Sequence, residues 1–170
     1  YQKITLDHRF QDTQEMKDKF KRYQNELERA QLTKLIPTPA PHPSGYQYVG
    51  SKVCADCHDQ EHEVWASGSE AWQAEHPGKV GPHSRATTDL VEPGERVWVQ
   101  RHHDPECLSC HVTGWNPQQY FAYESGYLDL KKNTELHGSG CENCHGPASR
   151  HVAIENGDAA TADEKDLVLS

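Results

Sequence analysis

Cys54-Ala-Asp-Cys57-His58, Cys107-Leu-Ser-Cys110-His111 and Cys141-Glu-Asn-Cys144-His145 repeat one pattern, C-x-x-C-H, three times in 170 residues. The spacing is that of a c-type haem attachment site. Two thiols add to the two vinyl groups on one edge of a porphyrin, and the imidazole that follows swings under the ring to bind iron. All six cysteines fall in these motifs, so none is left over for a disulfide. Structural zinc also uses C-x-x-C pairs, but it closes with two such pairs and does not require the adjacent histidine. A thioredoxin-like redox pair would need a strand-helix-strand context that none of the motifs has. The pattern predicts three covalently attached c-type haems, held by Cys54, Cys57, Cys107, Cys110, Cys141 and Cys144, with His58, His111 and His145 as proximal iron ligands.

Composition bounds the rest. Only 34% of residues are hydrophobic and the mean hydropathy is −0.93, a thin supply for an ordinary core. Porphyrin faces would fill the interior, so the expectation is a mainly α fold with long loops, a multihaem cytochrome with little regular secondary structure. The net charge of −9, from 26 acidic against 17 basic residues, argues against nucleic acid, which calls for a basic footprint. An acidic electron carrier is instead steered towards basic patches on redox partner proteins. No stretch is long and apolar enough to span a bilayer. Covalent haem attachment of this kind is made on the outer side of the bacterial cytoplasmic membrane, so a periplasmic or extracytoplasmic location is expected. The first residue is Tyr1 and no signal peptide is visible, which reads as a processed form or a piece of a longer chain.

Three parts are expected: an N-terminal helical arm (1–35), a proline-rich linker (36–47) and a trihaem body (48–170). The arm reads as a helix from Asp12 to Leu32, with Asp12 as N-cap, Glu15 three positions on, and an apolar stripe of Met16, Phe20, Tyr23, Leu27 and Ala30. Such a stripe packs on the body or on another chain. In Ile36-Pro-Thr-Pro-Ala-Pro-His-Pro43 proline recurs at every second position, which fixes φ and favours an extended strut or a surface strap. Residues 1–43 are therefore expected to dock on a partner or a neighbouring copy and to supply no haem ligand, leaving His8 and His42 unligated. In the body, Val53 to Ser67 reads as a helix carrying the first motif, Arg96-Val-Trp-Val-Gln100 as a short strand, Gly114 to Gly126 as a turn-rich loop and Ala148 to Glu155 as a short helix. Gly138-Ser-Gly140 would let backbone approach a porphyrin closely.

The body resembles the cytochrome c-554 family. Tyr48-Val-Gly-Ser-Lys-Val-Cys54-Ala-Asp-Cys57-His58 followed by Trp65 is similar to that family's opening. Asp104-Pro-Glu-Cys107-Leu-Ser-Cys110-His111-Val-Thr-Gly114 and Gly140-Cys141-Glu-Asn-Cys144-His145-Gly-Pro-Ala-Ser-Arg-His151-Val resemble its D-P-E-C-x-x-C-H-x-T-G and G-C-E-x-C-H-G-P-G-S-x-H-V blocks. The resemblance covers roughly Tyr48 to Val152 and leaves the arm out. It implies a periplasmic fold of stacked haem pairs that pass electrons, with distal histidines at two matching places. One is His151. The other is His83, in Gly81-Pro-His83-Ser-Arg-Ala86, reached through an insertion relative to the family. Members commonly carry a fourth C-x-x-C-H, Ala148 stands where glycine is usual, and His62 stands where the family often has an aromatic residue. His62 lies one helical turn after His58 and is read as a surface or propionate-contacting residue.

Full bis-histidine ligation needs three distal imidazoles, and nine of the 12 histidines remain after the proximal ones are assigned. The sole methionine, Met16, lies in the arm's stripe. Bis-histidine iron sits at lower potential than iron with a methionine ligand, so a low-potential carrier is expected. His151 and His83 would cap two irons, and the third falls to His103, with His137 or His102 as alternatives, or to no residue. On a strand, His102 and His103 would point to opposite sides, so at most one would face a haem. The leading function is electron transfer with no substrate of its own. The alternatives are an oxidoreductase in which one open iron acts on a small nitrogen compound, and a cytochrome subunit joined to a larger redox assembly through the arm. No convincing set of acid, base and oxyanion donors supports the enzyme.

Overall fold

The arm starts where Thr13, not Asp12, meets the backbone. The computed structural model, which describes residues 1–5, 9–35, 39–94 and 99–158, has helix α1 at Gln14–Ala30. Thr13 remains extended (φ −70°, ψ 146°), so its hydroxyl accepts from the Met16 amide at 3.4 Å and closes the helix start. Gln31 ends the helix in the left-handed region at φ 49°, and a short turn of helix, α2 (Leu32–Leu35), follows. The apolar stripe is not what α1 buries: Met16 and Tyr23 are 57% and 47% exposed, while Gln24 is 3% exposed. Gln24 Nε2 donates to Asp104 Oδ2 at 3.2 Å, and His103 Nε2 lies 3.6 Å from Glu28 Oε1. The arm therefore rests on the chain's own body, beside the second motif.

The described part of the proline segment runs as a strap. Ala40 forms a parallel bridge with Tyr123, and the Glu124 amide donates to the Ala40 carbonyl at 3.0 Å. Farther on, Gln47 exchanges bonds with Ser149, its amide donating to the Ser149 hydroxyl at 2.9 Å and its carbonyl accepting from the Ser149 amide at 3.1 Å.

The body is a succession of short helices joined by long loops: α3 (Ser51–Cys54), α4 (Asp59–Ser67), α5 (Glu70–Glu75), α6 (Ala86–Val91), α7 (Pro105–His111), α8 (Glu142–His145) and α9 (Ser149–Glu155). The single helix expected from Val53 to Ser67 is broken inside the first motif, because His58 leaves helical geometry at φ −116°, ψ 53°. That turn releases the imidazole from the helix surface. The loop expected at 114–126 contains a small antiparallel hairpin, β1 (Trp115–Asn116) on β2 (Phe121–Ala122). The strand expected at 96–100 falls mostly on 96–98, outside the described residues, as does His8.

Leu90, Leu108, Val112, Trp115, Ala122, Tyr127 and Leu136 form the core, with Cys107 and Tyr48 packed against it. It draws on α6, α7, the hairpin and a 3₁₀ turn (Thr134–Leu136). The second motif is thus built into the core. Asp104 caps α7 by accepting from the Glu106 amide at 3.0 Å, and Pro105 occupies the first turn, where its missing N–H costs nothing. Gly138 and Gly140 are tight for a reason other than the expected one. A Cβ on Gly140 would lie 2.4 Å from Thr113 Oγ1 and 2.7 Å from Ser51 Oγ, so these glycines admit protein atoms. No helix among the described residues is long and apolar enough to cross a membrane.

Candidate haem-binding site

In each motif the first cysteine is half-buried and the second is exposed: Cys54, Cys107 and Cys141 against Cys57, Cys110 and Cys144. All three motifs therefore present one thiol to the body and one to solvent. His111 is already oriented. Its Nδ1 bonds the Ala86 carbonyl at 3.0 Å, which leaves Nε2 for a metal, the usual division of labour in a ligating imidazole. Thr87 of α6 holds the His111 carbonyl at 2.8 Å, so α6 fixes both ends of that residue.

The first and third motifs share one cleft of about 600 Å³, within the range of roughly 300–1,000 Å³ for cofactor pockets. Cys54, Cys57 and His58 line it from one side, Cys141 and His145 from another, and His151 of α9 from a third. The His58 and His151 ring centroids lie 6.4 Å apart, with ring planes 27° apart. At a metal–imidazole bond of about 2 Å, two imidazoles on opposite faces of one iron have centroids roughly 6 Å apart. His151 Nδ1 is buried without a hydrogen-bond partner. These residues fit a haem on the first motif.

The Cys54 thiol donates to Cys141, which holds Cys141 below the ordinary thiol range and pushes Cys54 above it. The first cysteines of two motifs thus meet at the centre of the cleft. Burial, then Asp104, pushes the Cys107 thiol up to about 11. His62, read from sequence as a surface or propionate-contacting residue, lines the cleft and stands close enough to Cys141 to lower its pKa further.

The remaining candidates lie elsewhere. His83 is exposed in the turn before α6, and its carbonyl accepts from the Ser139 amide at 2.9 Å, next to the third motif. His102 and His103 occupy a turn, not a strand, and their rings lie side by side at 3.9 Å. His103 faces Glu28, while burial, then His103, lowers the His102 pKa. His137 is bridged to Val112 next to His111; its Nε2 is buried without a partner, and burial lowers its pKa.

Sequence reasoning passed over Glu142, between Cys141 and Cys144. The residue is 2% exposed and accepts four bonds from the amides of Val49, Gly50 and Ala148. Burial raises its pKa, and these amides oppose that rise. The only trace in the sequence was the glutamate of the G-C-E block.

Short helices and loops that carry C-x-x-C-H motifs, with imidazoles facing each other across a cleft, define a c-type cytochrome. The chain belongs to the cytochrome c554 and c-prime family, whose sequence model matches residues 53–146. It is 29% identical over 100 residues to cytochrome c-554 of Nitrosomonas europaea, an alignment covering 59% of this chain. The chain spans 38% of that relative's length. No solved structure matches it.

Proposed function

We propose that this chain is a periplasmic electron-transfer protein that carries three c-type haems, one on each C-x-x-C-H motif, and passes electrons between redox partner proteins. The pairing of His58 with His151 at 6.4 Å, in a cleft that also holds Cys54 and Cys57, is the observation that carries this reading. When bound, haem iron supplies reversible one-electron exchange; the protein supplies ligands, burial and spacing. His58 and His151 hold the first iron, and His145 and His111 are the proximal ligands of the other two. His83, whose main chain is bonded to the approach to the third motif, is the proposed cap there. The second site draws on His103 or His137, or keeps an open position. Bis-histidine ligation makes the carrier low in potential. In this reading residues 1–35 form the arm, 36–47 the strap and 48–170 the haem body, and the net charge of −9 favours a partner with a basic face.

Intact mass should give three haem additions per chain. His151→Ala should convert one low-spin haem to high-spin without losing a haem. A variant that stays fully low-spin would remove His151 from the ligand set, and fewer than three additions would overturn the haem count. Robust turnover of nitrite, hydroxylamine or peroxide by the unmodified protein would favour an enzyme with an open iron.

A further inference from the structure

Attachment chemistry prescribes the cysteines and the histidine of C-x-x-C-H and leaves the two intervening residues free. In the second motif those residues serve the local fold: Leu108 joins the core, and the Ser109 hydroxyl bonds the Glu106 carbonyl of its own helix at 2.8 Å. In the third motif both residues reach out of the motif and hold the other two.

Glu142 Oε2 accepts from the Gly50 amide at 2.8 Å, and both carboxylate oxygens accept from Val49 at 3.0 and 3.1 Å. Gly50 caps α3, the helix that ends on Cys54. Glu142 Oε1 also accepts from the Ala148 amide at 2.8 Å, and Ala148 caps α9, which carries His151. One buried carboxylate thus binds the first motif's entry and the helix of its facing histidine to the third motif. The neighbouring side chain points the other way. Asn143 Nδ2 donates to the Val112 carbonyl at 2.9 Å, directly after His111. Main-chain bonds run in parallel, from the Cys141 amide to Ser51 Oγ at 3.1 Å and from the Gly140 amide to Thr113 Oγ1 at 3.0 Å.

We infer that Glu142 and Asn143 are positioning residues that set the register of the three haem sites, Glu142 fixing the first motif and His151 against the third, and Asn143 fixing the second. This rests on the three-haem reading above and extends it to two residues that neither attach a porphyrin nor ligate iron. A carboxylate suits the task because it can accept from several amides at once, which an amide side chain can do with one oxygen only. Removing it leaves buried N–H groups without acceptors, an arrangement folded proteins avoid.

The test uses the holoprotein and the variants Glu142→Ala, Glu142→Gln, Asn143→Ala and, as a control whose side chain bonds only Asp18 of its own helix, Gln14→Ala. Mass gives the haem count, electron paramagnetic resonance the spin state, and redox titration the potentials. All four variants should keep three haems. Glu142→Ala should lose one haem's share of the low-spin signal, Glu142→Gln should fall between it and the unmodified protein, and Asn143→Ala should shift a different midpoint potential. Gln14→Ala should match the unmodified protein. If Glu142→Ala does not accumulate, Glu142→Gln and Asn143→Ala carry the test. Spectra and potentials that superimpose on the unmodified protein, with or without a lowered melting temperature, would overturn the inference. Fewer than three haems in the unmodified protein would instead overturn the functional reading.

Discussion

His42 lies in the strap, and its neighbours set its charge. The ring packs edge-on against Tyr123 at 4.7 Å and Tyr48 at 5.8 Å, and the Ser44 amide donates to Nδ1 at 3.2 Å. That bond needs a lone pair on Nδ1, so the neutral ring is the one the fold accepts, and burial lowers the pKa from 6.5. In the unfolded chain the imidazole titrates near 6.5, so as pH falls the unfolded state takes up the proton first. The stability tied to a neutral His42 is therefore present above about 6.5 and lost as pH falls through the lowered folded value. A proton NMR titration of the folded protein should place the His42 midpoint below 6.5; a midpoint at or above it would refute the assignment. At this scale the sequence was informative where chemistry is local. Each C-x-x-C-H pattern lies within five consecutive residues, so the pattern is legible without the fold. Glu142 could not be read that way, because its partners Gly50 and Val49 lie 92 and 93 positions away.

Helix α7 packs on α6 and on the hairpin, and its N-cap also reaches the arm. Its N-cap, Asp104, spends Oδ1 on the Glu106 amide at 3.0 Å and Oδ2 on Gln24 of the arm at 3.2 Å, so one carboxylate starts the second motif's helix and seats α1. Asp104→Ala should cost about 0.5–2 kcal/mol, the usual range for a lost helix cap, and should also loosen the arm. Asp104→Asn, which keeps a capping oxygen, should cost less. Denaturant unfolding measures both, and equal losses for the two variants would mean that capping is not what Asp104 contributes. The expected helix at the first motif was right in kind and wrong in continuity, since helical periodicity runs through Cys54 to His58 while the backbone at His58 does not. The arm's helix was also legible, but its buried face was not. The apolar stripe suggested that Met16 and Tyr23 go inward, whereas a hydrogen bond to Asp104 drew Gln24 in instead. The short helix at the end of the body lies within one residue of its expected start, because Gly146 at φ 80° ends the preceding helix just before it.

Across the described residues the burial is uneven, dense around the second motif and thin around the cleft shared by the first and third. The core gathers around α6 and α7, with Leu90, Leu108 and Val112 almost wholly enclosed. By contrast α4 and α9, which flank the shared cleft, bury no residue at all. Glu142 bonds the cap of α9, and Glu61 and His62 of α4 with His151, Val152 and Glu155 of α9 line the space a porphyrin would fill. A mean hydropathy of −0.93 says the same thing in sequence terms: the chain lacks the side chains to close this region by itself. Haem attachment should therefore complete the fold locally. In the chain made without haem, hydrogen exchange should be fast across α4 and α9 and slow in α7, because exchange follows local burial and packing. In the holoprotein all three should be protected. Equal protection of α4, α9 and α7 in the haem-free chain would mean that the polar bonds around Glu142 close the cleft without a porphyrin, and that haem binds a site already rigid.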